Sequence, residues 1–207
     1  MQARPSLSDE LLADIDRSSL SQLSQQLGAS ESQTREAVGA ALPMLLGTLG
    51  HNAGQINGAQ SLFNALQKDH AQPGMDLGAL LSAVVRGSNA SAAQTDGANI
   101  LGHIFGNRQQ EAQSSLGQAT GLGSDGAAKL LQMLAPLVMA FLAKQVSAGG
   151  MDAGALGQTL GREAAQTRQQ GGLAGGLLGS LLDQDGDGKL GLNDLMKLGG
   201  SLLSKRR

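Results

Sequence analysis

Apolar residues recur along this chain at helical spacing, and nowhere do they alternate with polar residues for long enough to make a half-buried strand. Leu11, Leu12 and Ile15 make the first such stripe. β-Branched residues are scarce, while Ala, Leu and Gln, which lose little freedom in a helix, are abundant. The expected fold is therefore all-α, a multi-helix bundle whose core is Leu, Ala and Met. Predicted helices begin near Ser8, read as an N-cap ahead of Asp9 and Glu10, and then run from Leu20 to Leu27 and from Ser30 through Leu49. Others are predicted over about Ala59–Lys68, Asp76–Arg86, Asp96–Phe105, Glu111–Thr120, Asp125–Gln145 and Asp152–Gln170. The longest apolar run, Leu130–Ala143, is interrupted by Gln132 and Pro136 and falls short of the ~20 residues a membrane span needs, so it reads as a buried helix.

Two segments share a pattern at an offset of 93 residues, with Leu23, Gly28, Val38 and Pro43 matched by Leu116, Gly121, Leu131 and Pro136. Each reads as short helix, glycine turn and long helix interrupted by proline, which predicts helix-turn-helix-like repeats. Ser88–Thr95 and Gln169–Gly176 read as loops or linkers. The domain reading is residues 1–147 as a helical domain of two related halves, 148–176 as a helix with a Gly-rich linker, and 177–207 as a separate C-terminal motif.

That motif carries the sharpest chemical signal in the chain, DQDGDGKLGLND from Asp183 to Asp194. Ca²⁺ takes six to eight oxygen ligands, and a twelve-residue loop wraps it when ligands fall at positions 1, 3, 5, 7, 9 and 12. Asp183, Asp185 and Asp187 supply the first three as carboxylates. Gly188 occupies position 6, where the chain turns sharply, and Lys189 at position 7 offers its backbone carbonyl. Leu190 is the apolar residue that pins the loop to a core, Gly191 leaves the ninth position to water, and Asp194 closes the shell. With apolar segments on both sides, this resembles an EF-hand-like helix-loop-helix, and its final Asp makes it similar also to the calcium loop of dockerin-type repeats. The usual twelfth residue is Glu; Asp is one methylene shorter, which weakens bidentate closure and the preference for Ca²⁺ over Mg²⁺. No second DxDxDG occurs, so the hand is either self-contained or paired with a copy on another chain.

Other chemistry is poorly supported. Without Cys there is no thiolate nucleophile, zinc knuckle, iron–sulfur cluster or disulfide framework. Phe63, Phe105 and Phe141 are the only aromatic residues, too few to stack on single-stranded nucleic acid. Leu20–Val38 has helix-turn-helix spacing, with small Ser24, turn Gly28, capping Ser30 and core Thr34 and Ala37. A DNA reader needs several cations on its second helix, and only Arg35 is present. His103 and Asp96 suggest a base with its orienter, but no nucleophile accompanies them, and His51 and His70 lack a helical metal-binding partner. Gly172, Gly175, Gly176 and Gly179 read as small residues at a close helix contact.

ILGHIFG from Ile100 to Gly106, the two proline-interrupted units and the Gly/Leu-rich tail ending in DQDGDG together resemble the bacterial domain-of-unknown-function family 937 and, more distantly, YidB-like proteins. The resemblance extends over about residues 10–200. It implies an all-helical bacterial protein and no activity, so no catalytic residue follows from it. The functional expectation is a non-enzymatic protein that binds Ca²⁺, with Mg²⁺ as the alternative ion, and acts as a structural or interaction module with a protein partner or with itself. A helix-turn-helix DNA-binding regulator is the alternative; a membrane span and a small-molecule substrate are not expected, and the cytoplasm is the expected location.

Overall fold

A computed structural model describes residues 6–70, 80 and 96–182, and every regular element among them is helical. Helix α1 spans Leu7–Asp14, α2 Arg17–Leu27, α3 Glu31–Ala53 and α4 Gly58–Ala65, which is continued by a π-turn at Leu66–His70. After the undescribed stretch, α5 spans Gly97–Phe105, followed by a short 3₁₀ turn at Gly106–Arg108. Then come α6 (Gln109–Thr120), α7 (Gly123–Gly149), α8 (Ala153–Gln170) and α9 (Gly172–Leu182). Of the helix expected at Asp76–Arg86 only Leu80 is described, and it is buried.

Caps mark the helix starts. Ser6, not Ser8, is the N-cap of α1: its Oγ accepts from Asp9 N at 3.1 Å, and the Asp9 carboxylate accepts from Ser6 N, a reciprocal capping box. Asp16, Ser30, Asp96 and Asp152 cap α2, α3, α5 and α8 in the same manner, each accepting from the amide three residues on. Gly28 and Gly121 close α2 and α6 in the left-handed conformation, at φ 64° and 71°, where an L side chain would be strained.

Two long helices form the centre. α3 and α7 pack on one another, and each buries fourteen residues. Both contain a proline that does not end the helix. Proline has no N–H, so the carbonyl four residues back loses its helical donor. In α7 that carbonyl belongs to Gln132, and Gly97 of α5 abuts it so closely that any side chain at 97 would collide with it. α7 is longer than its apolar centre suggested. By length and composition it could cross a membrane, but 72% of its most apolar stretch is buried within this fold.

α1 and α2 lie on α3, whereas α5 and α6 lie on α7. At the 93-residue offset, several pairs are buried in both copies: Leu11 with Ile104, Leu23 with Leu116, Val38 with Leu131, Leu45 with Val138 and Leu49 with Leu142, whereas Pro43 is half-buried and Pro136 buried. The remaining cover is exchanged between halves. α8 and α9 seat chiefly on α3, and the π-turn after α4 seats on α7. The α3–α8 crossing depends on Gly50, whose Cα faces the Leu160 carbonyl and the Ala164 methyl. Gln169–Gly176 is helical apart from Gly171, and the tip of Leu178 in α9 fills the notch left by Gly47.

Candidate functional site

The predicted ion ligands Asp183, Asp185, Asp187, Lys189 and Asp194 lie outside the described residues, which end at Leu182, the last residue of α9. Among the described residues no three His, Asp or Glu side chains converge into a metal-binding group.

A groove of about 950 Å³ lies between the C-terminal half of α3, α4 and α5. Leu49, Leu62, Ile100, Phe105 and Met139 supply its apolar walls. Asn52 joins two of them, its Nδ2 donating to the Ile104 carbonyl at 2.7 Å. His103 is exposed on the groove wall. Asp96 also lines the groove, but its carboxylate accepts from the Asn99 amide, at 3.0 Å, and from the Asn99 side chain. The base-and-orienter pair suggested by Asp96 and His103 is therefore not formed, since the carboxylate that would orient the ring is committed to capping α5.

The helix-turn-helix spacing at Leu20–Val38 is realised as α2, Gly28 and α3. Ser24 is buried and its Oγ donates to the Ser21 carbonyl at 2.8 Å, while Thr34 and Ala37 have no exposed surface. The second helix faces the core over most of its length, leaving Glu31, Ser32, Arg35 and Glu36 exposed on its first turns. Two of those four are acidic, a poor match to phosphate.

The most elaborate polar centre was not anticipated from the sequence. Glu163 on α8 is 4% exposed, and its carboxylate accepts from Leu7 N at 2.9 Å, Ser8 N at 3.1 Å and Ser8 Oγ at 2.7 Å. An α-helix begins with amides that have no partner inside it and carry the positive end of its dipole. Glu163 satisfies two of those amides in α1, and Ser6 Oγ satisfies a third, that of Asp9. A signal was present: Glu163 falls within the stripe Leu156, Leu160, Ala164 and Thr167, all buried, so its spacing placed a carboxylate on the inner face of α8.

Residues 9–145, from α1 to near the end of α7, match the family described as bacterial protein of unknown function, DUF937. The chain belongs to this family. The match is shorter than the resemblance over residues 10–200 suggested, and α8, α9 and residues 183–194 lie beyond the DUF937 match. No curated protein and no solved structure matches the chain.

Proposed function

We propose that this DUF937 protein is a non-enzymatic helical module that binds Ca²⁺ through Asp183–Asp194 and works by contact with other protein, including copies of itself. The observation that carries the reading is the donor series itself: carboxylates at positions 1, 3, 5 and 12, Gly at position 6 and Leu at position 8, beginning at the residue after α9. Such a set suits a hard divalent cation. Bound Ca²⁺ neutralises the carboxylates and fixes the chain that follows α9, adding about 2.7 kcal/mol of stability at one hundred times the dissociation constant. The self-assembly part is supported by the all-helical Leu/Ala/Gly interior and by the reciprocal cover of α3 and α7. We read that cover, with the matched burial at the 93-residue offset, as two copies of one ancestral unit.

Isothermal titration of the full chain with Ca²⁺ and with Mg²⁺ tests the ion site. Heat of binding with one ion per chain, abolished in the Asp183→Ala/Asp187→Ala variant, is the expected result. A silent titration of the unaltered chain refutes the assignment. DNA reading by α2 and α3 is the alternative function, and salt-dependent binding to a DNA duplex at micromolar protein would revive it.

A further inference from the structure

The C-terminal arm formed by α8 and α9 is joined to α7 by three residues, Gly150, Met151 and Asp152, yet it packs chiefly on α3, α4, α6 and the start of α1 rather than on α7. Gly150 turns the chain back in the left-handed conformation, φ 56° and ψ 33°. Every anchor of the arm is on another element. Leu160 and Ala164 meet Gly50, Leu178 fills the notch at Gly47, Gly157 faces Ala59, Glu163 holds the amides of Leu7 and Ser8, and Arg108 donates to the Leu181 carbonyl.

We infer that this arm exchanges between two copies of the chain, α8 and α9 of one molecule seating on α3 and α4 of the other. The proposal deepens the self-assembly part of the reading above and is independent of the ion site. Three features carry it. The arm's contacts are with elements its own linker does not dictate, so an identical arm from a second copy reproduces all of them, including the Glu163 bonds. Opening without exchange is costly, because it would uncover Leu156, Leu160, Leu178 and Leu181, each no more than 3% exposed, together with the α3 face beneath them. Finally, the two halves of the chain already show the arrangement internally, each long helix taking part of its cover from the tail of the other half. Short linkers that reverse direction are the usual hinges of such exchange, and the intact arm makes the closed form dominant at low concentration.

The absence of Cys allows a clean test on the full chain. A Cβ placed at Gly157 would lie 3.1 Å from that of Ala59, so a small relaxation brings engineered thiols there to disulfide geometry. A chain bearing Ala59→Cys and a size-tagged chain bearing Gly157→Cys are mixed at roughly 100 μM in urea, refolded together and oxidised, with mass read by light scattering and non-reducing gel. Exchange gives a disulfide-linked heterodimer. Adding Gly150→Ala to both chains raises the dimer-to-monomer ratio by about tenfold, because the turn is strained for an L side chain whereas a straightened linker is not. A noncovalent dimer without the heterodisulfide overturns the exchange and leaves self-assembly standing through another surface. Chains that stay monomeric at this concentration, with or without Gly150→Ala, overturn both.

Discussion

Replacing Glu163 tests whether the buried carboxylate holds the first helix to the rest of the fold. In Glu163→Ala, the hydrogen bonds from Leu7 N, Ser8 N and Ser8 Oγ are lost. The hydroxyl retains a partner, since Ser6 Oγ lies 2.9 Å away, but the two amides do not. A buried donor left unpaired costs about 1–3 kcal/mol, which puts the two amides at ~2–6 kcal/mol. Relief of the carboxylate's own desolvation offsets part of that, and a net loss of ~3 kcal/mol is expected. Glu163→Gln keeps the shape and one accepting oxygen while turning an NH₂ toward donors, so its loss should be about half as large. Because the chain has no Trp or Tyr, unfolding is best followed by far-UV circular dichroism in urea. With an m-value of about 1–3 kcal/mol/M, the alanine variant should lower the midpoint by ~1–3 M. Hydrogen exchange supplies the local readout, with the Leu7 and Ser8 amides accelerated beyond the change at Val38 or Leu131. An alanine variant within about 1 kcal/mol of the unaltered protein, with those amides still protected, would refute the assignment of Glu163 as the clamp.

Three further tests follow from the packing and the charges. Gly50→Ala pushes a methyl into the Leu160 carbonyl and should cost about 2–3 kcal/mol in chemical denaturation, whereas Gly161→Ala, with open space at its Cβ, should gain up to about 1 kcal/mol from helix propensity. Gly97→Ala should separate α5 from α7 and lower the melting temperature, with the Leu101 and Ile104 amides losing exchange protection first. At Asp16, Ser19, through its hydroxyl and amide, and then Ser18 hold the exposed carboxylate below its ordinary value of 3.8. Its folded pKa is depressed, so its contribution is full above that ordinary value and is lost as pH falls through the folded one. The melting-temperature gap between the unaltered protein and Asp16→Ala should therefore narrow between pH 7 and pH 2, and a gap that widens on acidification would contradict the sign.

Helix positions were legible because apolar spacing, caps and glycine stops agree with one another along the chain. Gly28, Gly121, Asp96 and Asp152 stand at the helix ends that their chemistry predicts. Ser8 was misread for a specific reason. Either Ser6 or Ser8 can cap a helix that begins here, and the choice falls to Glu163, which takes Ser8 into the interior and leaves Ser6 to make the capping box. Long-range partners of this kind have no local signature, and neither does the placement of α8 and α9 on α3. The candidate ion site is a purely local pattern, since its proposed ligands all fall within twelve residues, and those residues lie outside the described structure.

The bond from Leu7 to Glu163 spans 156 positions of sequence, which sets a schedule for synthesis. At roughly 5–20 residues per second, the acceptor for the first helix is made about 8–30 s after that helix has left the ribosome's active site. Until then α1 presents unmet amides, and α3 lacks the cover it takes from α8. The nascent chain therefore cannot complete its first half first and its second half later. It closes as a ring, with α8 and α9 completing the cover of α1 and α3.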